Sequence, residues 1–247
     1  MEKGDKLNEP VLIRPGAFST KTKVRPKVVM AILPPYVRLA RTLARAKRRK
    51  HLLAWSGLWH VPDKRGGFSI TGPAVGAPVA ATMLENLIAN GAKKIIVAGC
   101  CGSIRTDLKI GDIALPTGAI SEEGTSAHYH PDRFPPEADP ELTEMIASIA
   151  EERGWPTKKG VVWTTDAPYR ETHEKVRNYG EQGVLAVEME LSALFTVARF
   201  RGAQLAAVLA TSDELASLEW KPGFFKPAFI KATTRAIRLA INTAAKI

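Results

Sequence analysis

The chain alternates between short apolar runs and longer stretches with helical spacing. Val28 to Leu33 is an apolar run stopped by Pro34-Pro35 and reads as a buried strand. From Arg38 to His51 a basic stretch reads as a helix, with Leu39, Leu43 and Ala46 opposite its charged face. Leu52 to Trp59 and Gly67 to Thr71 read as strands about a turn at residues 63–67. Pro78 to Asn90 carries Met83, Leu84, Leu87 and Ile88 on one face, with Pro in its first turn and Gly91 at its end. Strands then follow at Lys94 to Ala98 and Ile113 to Leu115. Beyond a long polar loop from Ser121 to Asp139 comes a helix at Glu141 to Arg153. Val161 to Thr164, Val184 to Val187 and Leu205 to Thr211 read as strands; Glu171 to Tyr179, Leu191 to Arg201 and Phe229 to Ala245 read as helices.

Helices alternating with apolar strands predict an α/β fold: a single three-layer domain whose central sheet, mostly parallel or mixed and twisted, is covered by helices on both faces. Nothing repeats or divides the chain, so residues 26–247 form one catalytic domain and residues 1 to about 25 an N-terminal arm.

With 45% hydrophobic and 24% charged residues, the chain can bury a sizeable core. No apolar run approaches a membrane span and no h-region follows Met1, which predicts a cytoplasmic protein without a membrane partner. The two cysteines, Cys100 and Cys101, are adjacent; they read as buried thiols, not as a disulfide framework or a metal site. The net charge of +10 is concentrated in Arg38, Arg41, Arg45, Lys47, Arg48, Arg49 and Lys50. Without interleaved aromatics this run does not favour nucleic acid. A site for a small anion uses the same charges.

Ligands of such sheets sit beyond the carboxyl ends of strands, and four strand ends here are polar or glycine-rich. Gly99-Cys100-Cys101-Gly102-Ser103 reads as a turn whose N–H groups can hold an anion or a sugar oxygen, or as a turn needing glycine for steric reasons alone. Residues 164–170 offer hydroxyl, carboxylate, aromatic and guanidinium groups, or an ordinary Asp-Ala-Pro turn. In Glu188-Met189-Glu190, two carboxylates flank a methionine suited to a sugar face; helix N-terminal acidity explains either carboxylate, but not both. Asp213 in Thr211-Ser212-Asp213-Glu214 suits a general acid, and Ser212 or Asp213 equally suits an N-cap.

In this order and spacing the residues resemble the nucleoside phosphorylase family, which contains purine nucleoside and uridine phosphorylases and nucleosidase relatives. The resemblance covers roughly residues 28–245. It rests on Gly72 to Pro78, Gly99 to Ile104, Gly111-Asp112, Gly124-Thr125, Asp166 to Tyr169, Val187-Glu188-Met189-Glu190 and Ser212-Asp213. It implies that Met189 and Glu190 hold ribose, Val75 packs under the sugar, and Asp213 protonates the leaving purine, assisted by Lys226. It places Glu188, Cys100, Cys101, Gly102, Tyr169 and Ser212 among the substrate-binding residues. Arg38, Arg49, Lys50 and Gly99 are the implied phosphate contacts, with Arg49 or Lys50 lent by a neighbouring subunit of a dimer, trimer of dimers or hexamer. Phosphate is the implied co-substrate, with no cofactor and no metal. Departures are the absent Gly-Asp at Leu33 to Arg38, and Val97, Cys100 and Pro168 where relatives carry an arginine, a hydroxyl and an aromatic. Thr172 and Glu174 stand where uracil-reading residues belong. Phosphorolysis of a purine nucleoside is the leading reading. Hydrolysis of the same bond and an inactive nucleoside binder stay open.

Overall fold

The computed structural model describes residues 10–17, 23–53 and 56–247, with the backbone alone at 48–53. Most of the arm expected at 1–25 lies outside the described residues. Of the rest, Val24 is fully buried, and the Gly16 N–H donates to Asn86 Oδ1.

Parallel pairing dominates the middle of the sheet. β1 (Lys27–Ala31) lies between β4 (Ser69–Gly72) and β5 (Lys94–Ser103), parallel to both. On its other side β5 pairs in parallel with β9 (Gln204–Glu214) along its whole length. β6 (Ile113–Glu122), β7 (Thr157–Thr165) and β8 (Ala186–Glu188) form a second parallel set. The two sets meet antiparallel, β6 on β9 and β8 on the carboxyl end of β5. At one margin β2 (Lys47–Leu53) and β3 (Ser56–His60) continue antiparallel from β4.

Two-residue alternation sends each central strand to both faces. Val28, Met30, Ile95, Val97, Leu205, Ala207 and Leu209 pack toward α2 (Ala77–Ala89) and α5 (Leu191–Phe200). Val29, Ala31, Ile96, Ala98, Ala206, Val208 and Ala210 pack toward α1 (Pro34–Ala44), α3 (Pro140–Glu151) and α6 (Pro227–Lys246). This is the expected three-layer α/β domain. A smaller cluster around Trp163, Val176 and Leu215 seats α4 (His173–Glu181).

Three local expectations are corrected. The basic run is not one helix: α1 stops at Arg45, whose φ of 50° is left-handed, and the chain then turns into β2. Residues 99–103 are not a turn but the last half of β5, in register with β9 up to Ser103 opposite Glu214. The glycine at 102 serves packing, because a Cβ there would lie 2.7 Å from Leu215 Cδ1 and 2.9 Å from Asp213 Oδ2. Likewise Thr211 to Glu214 belong to β9, so neither Ser212 nor Asp213 caps a helix.

Candidate functional site

Where β5, β7, β8 and β9 end, a cavity of about 550 Å³ opens, a volume suited to a nucleoside-sized molecule. Val75, Cys100, Cys101, Gly102, Tyr169, Glu188, Met189, Glu190, Ser212 and Asp213 all line it, joined by Ile32, Leu33, Pro168, Glu171, Val187, Leu215, Trp220 and Phe224. Segments far apart in sequence therefore meet at one place.

The two glutamates after β8 are set differently. Glu188 Oε2 accepts the N–H groups of Glu190 at 2.7 Å and Leu191 at 2.8 Å, and its Oε1 accepts the Thr164 hydroxyl. Glu188 thus satisfies the first free N–H groups of α5, which is the plain helix-start reading for that residue. Glu190 points the other way, its Oε1 accepting the Gly76 N–H at 2.6 Å. Gly76 precedes α2 with φ of 85°, a left-handed geometry that favours glycine, so the Glu190 carboxyl faces the positive end of that helix. Burial and then the charge of Glu190 push Glu188 up from the usual carboxylate range; burial pushes Glu190 up, opposed by the Gly76 N–H.

In the same cavity, Asp213 is held at both oxygens. Ser212 Oγ lies 2.6 Å from Oδ1, and the indole N–H of Trp220 donates to Oδ2 at 2.9 Å. Glu171 sits between a short 3-10 turn at Pro168–Arg170 and the Thr172 cap of α4. Burial first, and then the Asp213 charge, push its carboxyl up to about 7. A carboxyl raised on folding keeps its full stabilising effect below its unfolded pKa and loses it as pH rises toward the folded value. Glu171→Gln is therefore expected to raise the melting temperature at about pH 8 and to leave it nearly unchanged at about pH 4. Equal shifts at both pH values in thermal denaturation contradict this placement.

On β5, burial pushes the Cys100 thiol up to about 12 and Cys101 upward as well, which keeps both protonated. No group of three or more His, Cys, Asp or Glu residues is arranged to hold a metal ion among the described residues.

Several expected site residues lie elsewhere. Arg38 lines a separate groove with Pro34, Pro35, Leu39 and Thr42 on the outer face of α1. Gly99 is within β5 and outside the cavity lining, and Lys226 is an exposed residue at the start of α6. The side chains of Arg49 and Lys50 fall outside the described residues; their backbone runs in β2. Among the described residues the cavity lining holds four carboxyl groups and no Lys or Arg. Sequence reasoning missed Glu171, Leu215, Trp220 and Phe224. The usable signal was the aromatic and turn-rich run Trp220-Lys221-Pro222-Gly223-Phe224, shortly after Asp213.

The model of the phosphorylase superfamily matches residues 47–245. Guanosine phosphorylase of Halorubrum lacusprofundi is 32% identical over 147 residues, 60% of this chain and 61% of the relative. The DeoD-type purine nucleoside phosphorylase of Bacillus thuringiensis is 34% identical over 149 residues, 60% of this chain and 63% of the relative. The matched stretch thus spans a little over three-fifths of these curated relatives. The structure of purine nucleoside phosphorylase from Toxoplasma gondii in complex with immucillin-H superposes with a TM-score of 0.85 at 21% identity, over 96% of this chain and 97% of that one. Uridine phosphorylase from Vibrio fischeri gives 0.83 at 23%, over 96% and 99%. At these identities the structural likeness is one of fold.

Proposed function

Because this chain belongs to the phosphorylase superfamily, we propose that it cleaves the N-glycosidic bond of a purine nucleoside with phosphate, releasing the base and ribose 1-phosphate. The observation that carries this reading is the convergence of Met189, Glu190 and Asp213, from two separate strand ends, on one cavity. A carboxylate accepts several hydrogen bonds; Gly76 takes one at Glu190, and the ribose 2′- and 3′-hydroxyls take others. As the C–N bond lengthens, positive charge grows on the sugar beside Glu190 and negative charge on the base beside Asp213. Stabilising both in the transition state, more than in the bound nucleoside, is what lowers the barrier. Asp213, once it has taken a proton from solvent, passes it to the leaving base as the acid.

Phosphate needs cations, and the described residues of the lining supply none. We assign that role to Arg49 and Lys50 on β2 of a second copy in a cytoplasmic homo-oligomer, with no cofactor beyond the co-substrate. The expected result is a rate that saturates with phosphate, ribose 1-phosphate as product, and a KM for phosphate raised at least tenfold by Arg49→Ala or Lys50→Ala, about the loss of one hydrogen bond to a charged group. The cation-free lining favours one second reading, hydrolysis by water. A rate flat in phosphate, with free ribose as product, selects it and sinks phosphorolysis.

A further inference from the structure

β9 does not end at its last paired residue but turns back on itself. Leu215 N–H donates to Ser103 O and Leu218 N–H to Leu215 O, with Leu218 at a left-handed φ of 61°. The short strand β10 (Lys221–Pro222) then pairs antiparallel with β9, placing Lys221 opposite Glu214 and Pro222 opposite Asp213. This hairpin brings Trp220 over Asp213, where its indole N–H meets Oδ2 at 2.9 Å. The ring is 63% exposed, so burial does not account for its place. Phe224 packs nearby, its ring centre 6.5 Å from that of Trp220 and 6.0 Å from that of the buried Phe229 of α6, an aromatic series tying the hairpin to the helix layer.

We propose that Trp220 is the positioning residue of Asp213, aiming the carboxyl at the leaving base through its indole N–H. The proposal rests on the reading of Asp213 as the acid. An indole N–H donates and cannot accept, so it neither delivers nor removes the transferred proton. Its effect is geometric. With Ser212 at Oδ1 and Trp220 at Oδ2, the carboxyl has one orientation, whereas Lys226, the residue expected to assist, stands exposed at the start of α6 outside the lining.

Trp220→Phe keeps the ring and removes the donor. On a purine nucleoside it is expected to lower kcat about tenfold, the size of one hydrogen bond to a charged group. KM stays within about twofold, and the rate on 4-nitrophenyl riboside, whose leaving group needs no acid, stays within about twofold. Independently of activity, the Trp220 indole N–H resonance moves in Asp213→Asn while those of the other tryptophans hold. Equal losses on both substrates, no loss on either, or an unmoved indole resonance overturns the proposal while leaving nucleoside cleavage intact. Failure of the wild-type protein to cleave any nucleoside instead overturns the proposed function and this role with it.

Discussion

Glu190→Gln is expected to lower kcat/KM for a nucleoside by two to four orders of magnitude without loss of folded protein. Each hydroxyl bonded to an ionised carboxylate contributes ~1.5–3 kcal/mol, and two such bonds correspond to roughly that range of rate. A glutamine presents one acceptor oxygen where the carboxylate presents two, and it carries no charge to offset the cationic sugar of the transition state. The fold tolerates the change. Glutamine still accepts the Gly76 N–H through its carbonyl, and the substitution removes the like charge that pushes Glu188 upward. Steady-state kinetics with the melting temperature as control decide the matter. Near-normal turnover removes Glu190 from the sugar site, and a collapse in melting temperature makes its role structural.

Asp213→Asn is the second large effect. General acid catalysis contributes about 10²- to 10⁴-fold, and that is the expected loss on purine nucleosides. On 4-nitrophenyl riboside the loss is at most about threefold, because that leaving group departs without a proton. An equal loss on both substrates assigns Asp213 to the wall of the cavity and not to the chemistry.

Much of this molecule is legible from spacing alone. The apolar stripes of α2 and α5 and the β-branched runs of β1 and β5 bury the faces that the sequence marks. What escapes has physical causes. Lysine and arginine are good helix formers, so residues 47–50 read as a continuation of α1; their strand is imposed by β3, a partner that local propensity does not see. Gly99 and Gly102 read as a turn because glycine marks turns more often than tight packing, and only the approach of Leu209 and Ile32 to the first and of Leu215 and Asp213 to the second reveals the other reason. Of the cavity lining, Glu188, Met189 and Glu190 were legible because they are contiguous. The Trp220 side was not. A hairpin with two paired residues has no periodicity, and its bond to Asp213 exists only once β10 folds back.

The cation-free wall of the cavity has a further consequence, in transport as distinct from chemistry. The chain as a whole carries a formal +10, so an anion in solution is drawn toward it over roughly a Debye length, about 10 Å at moderate ionic strength. At the wall the described lining offers no cation, and burial, by pushing Glu171, Glu188 and Glu190 toward their protonated forms, limits the repulsion that the same anion meets there. Added salt therefore acts mainly on the approach, which it slows. On the proposed reaction, capture of phosphate thus slows as ionic strength rises, while an uncharged nucleoside enters at a rate that salt leaves alone.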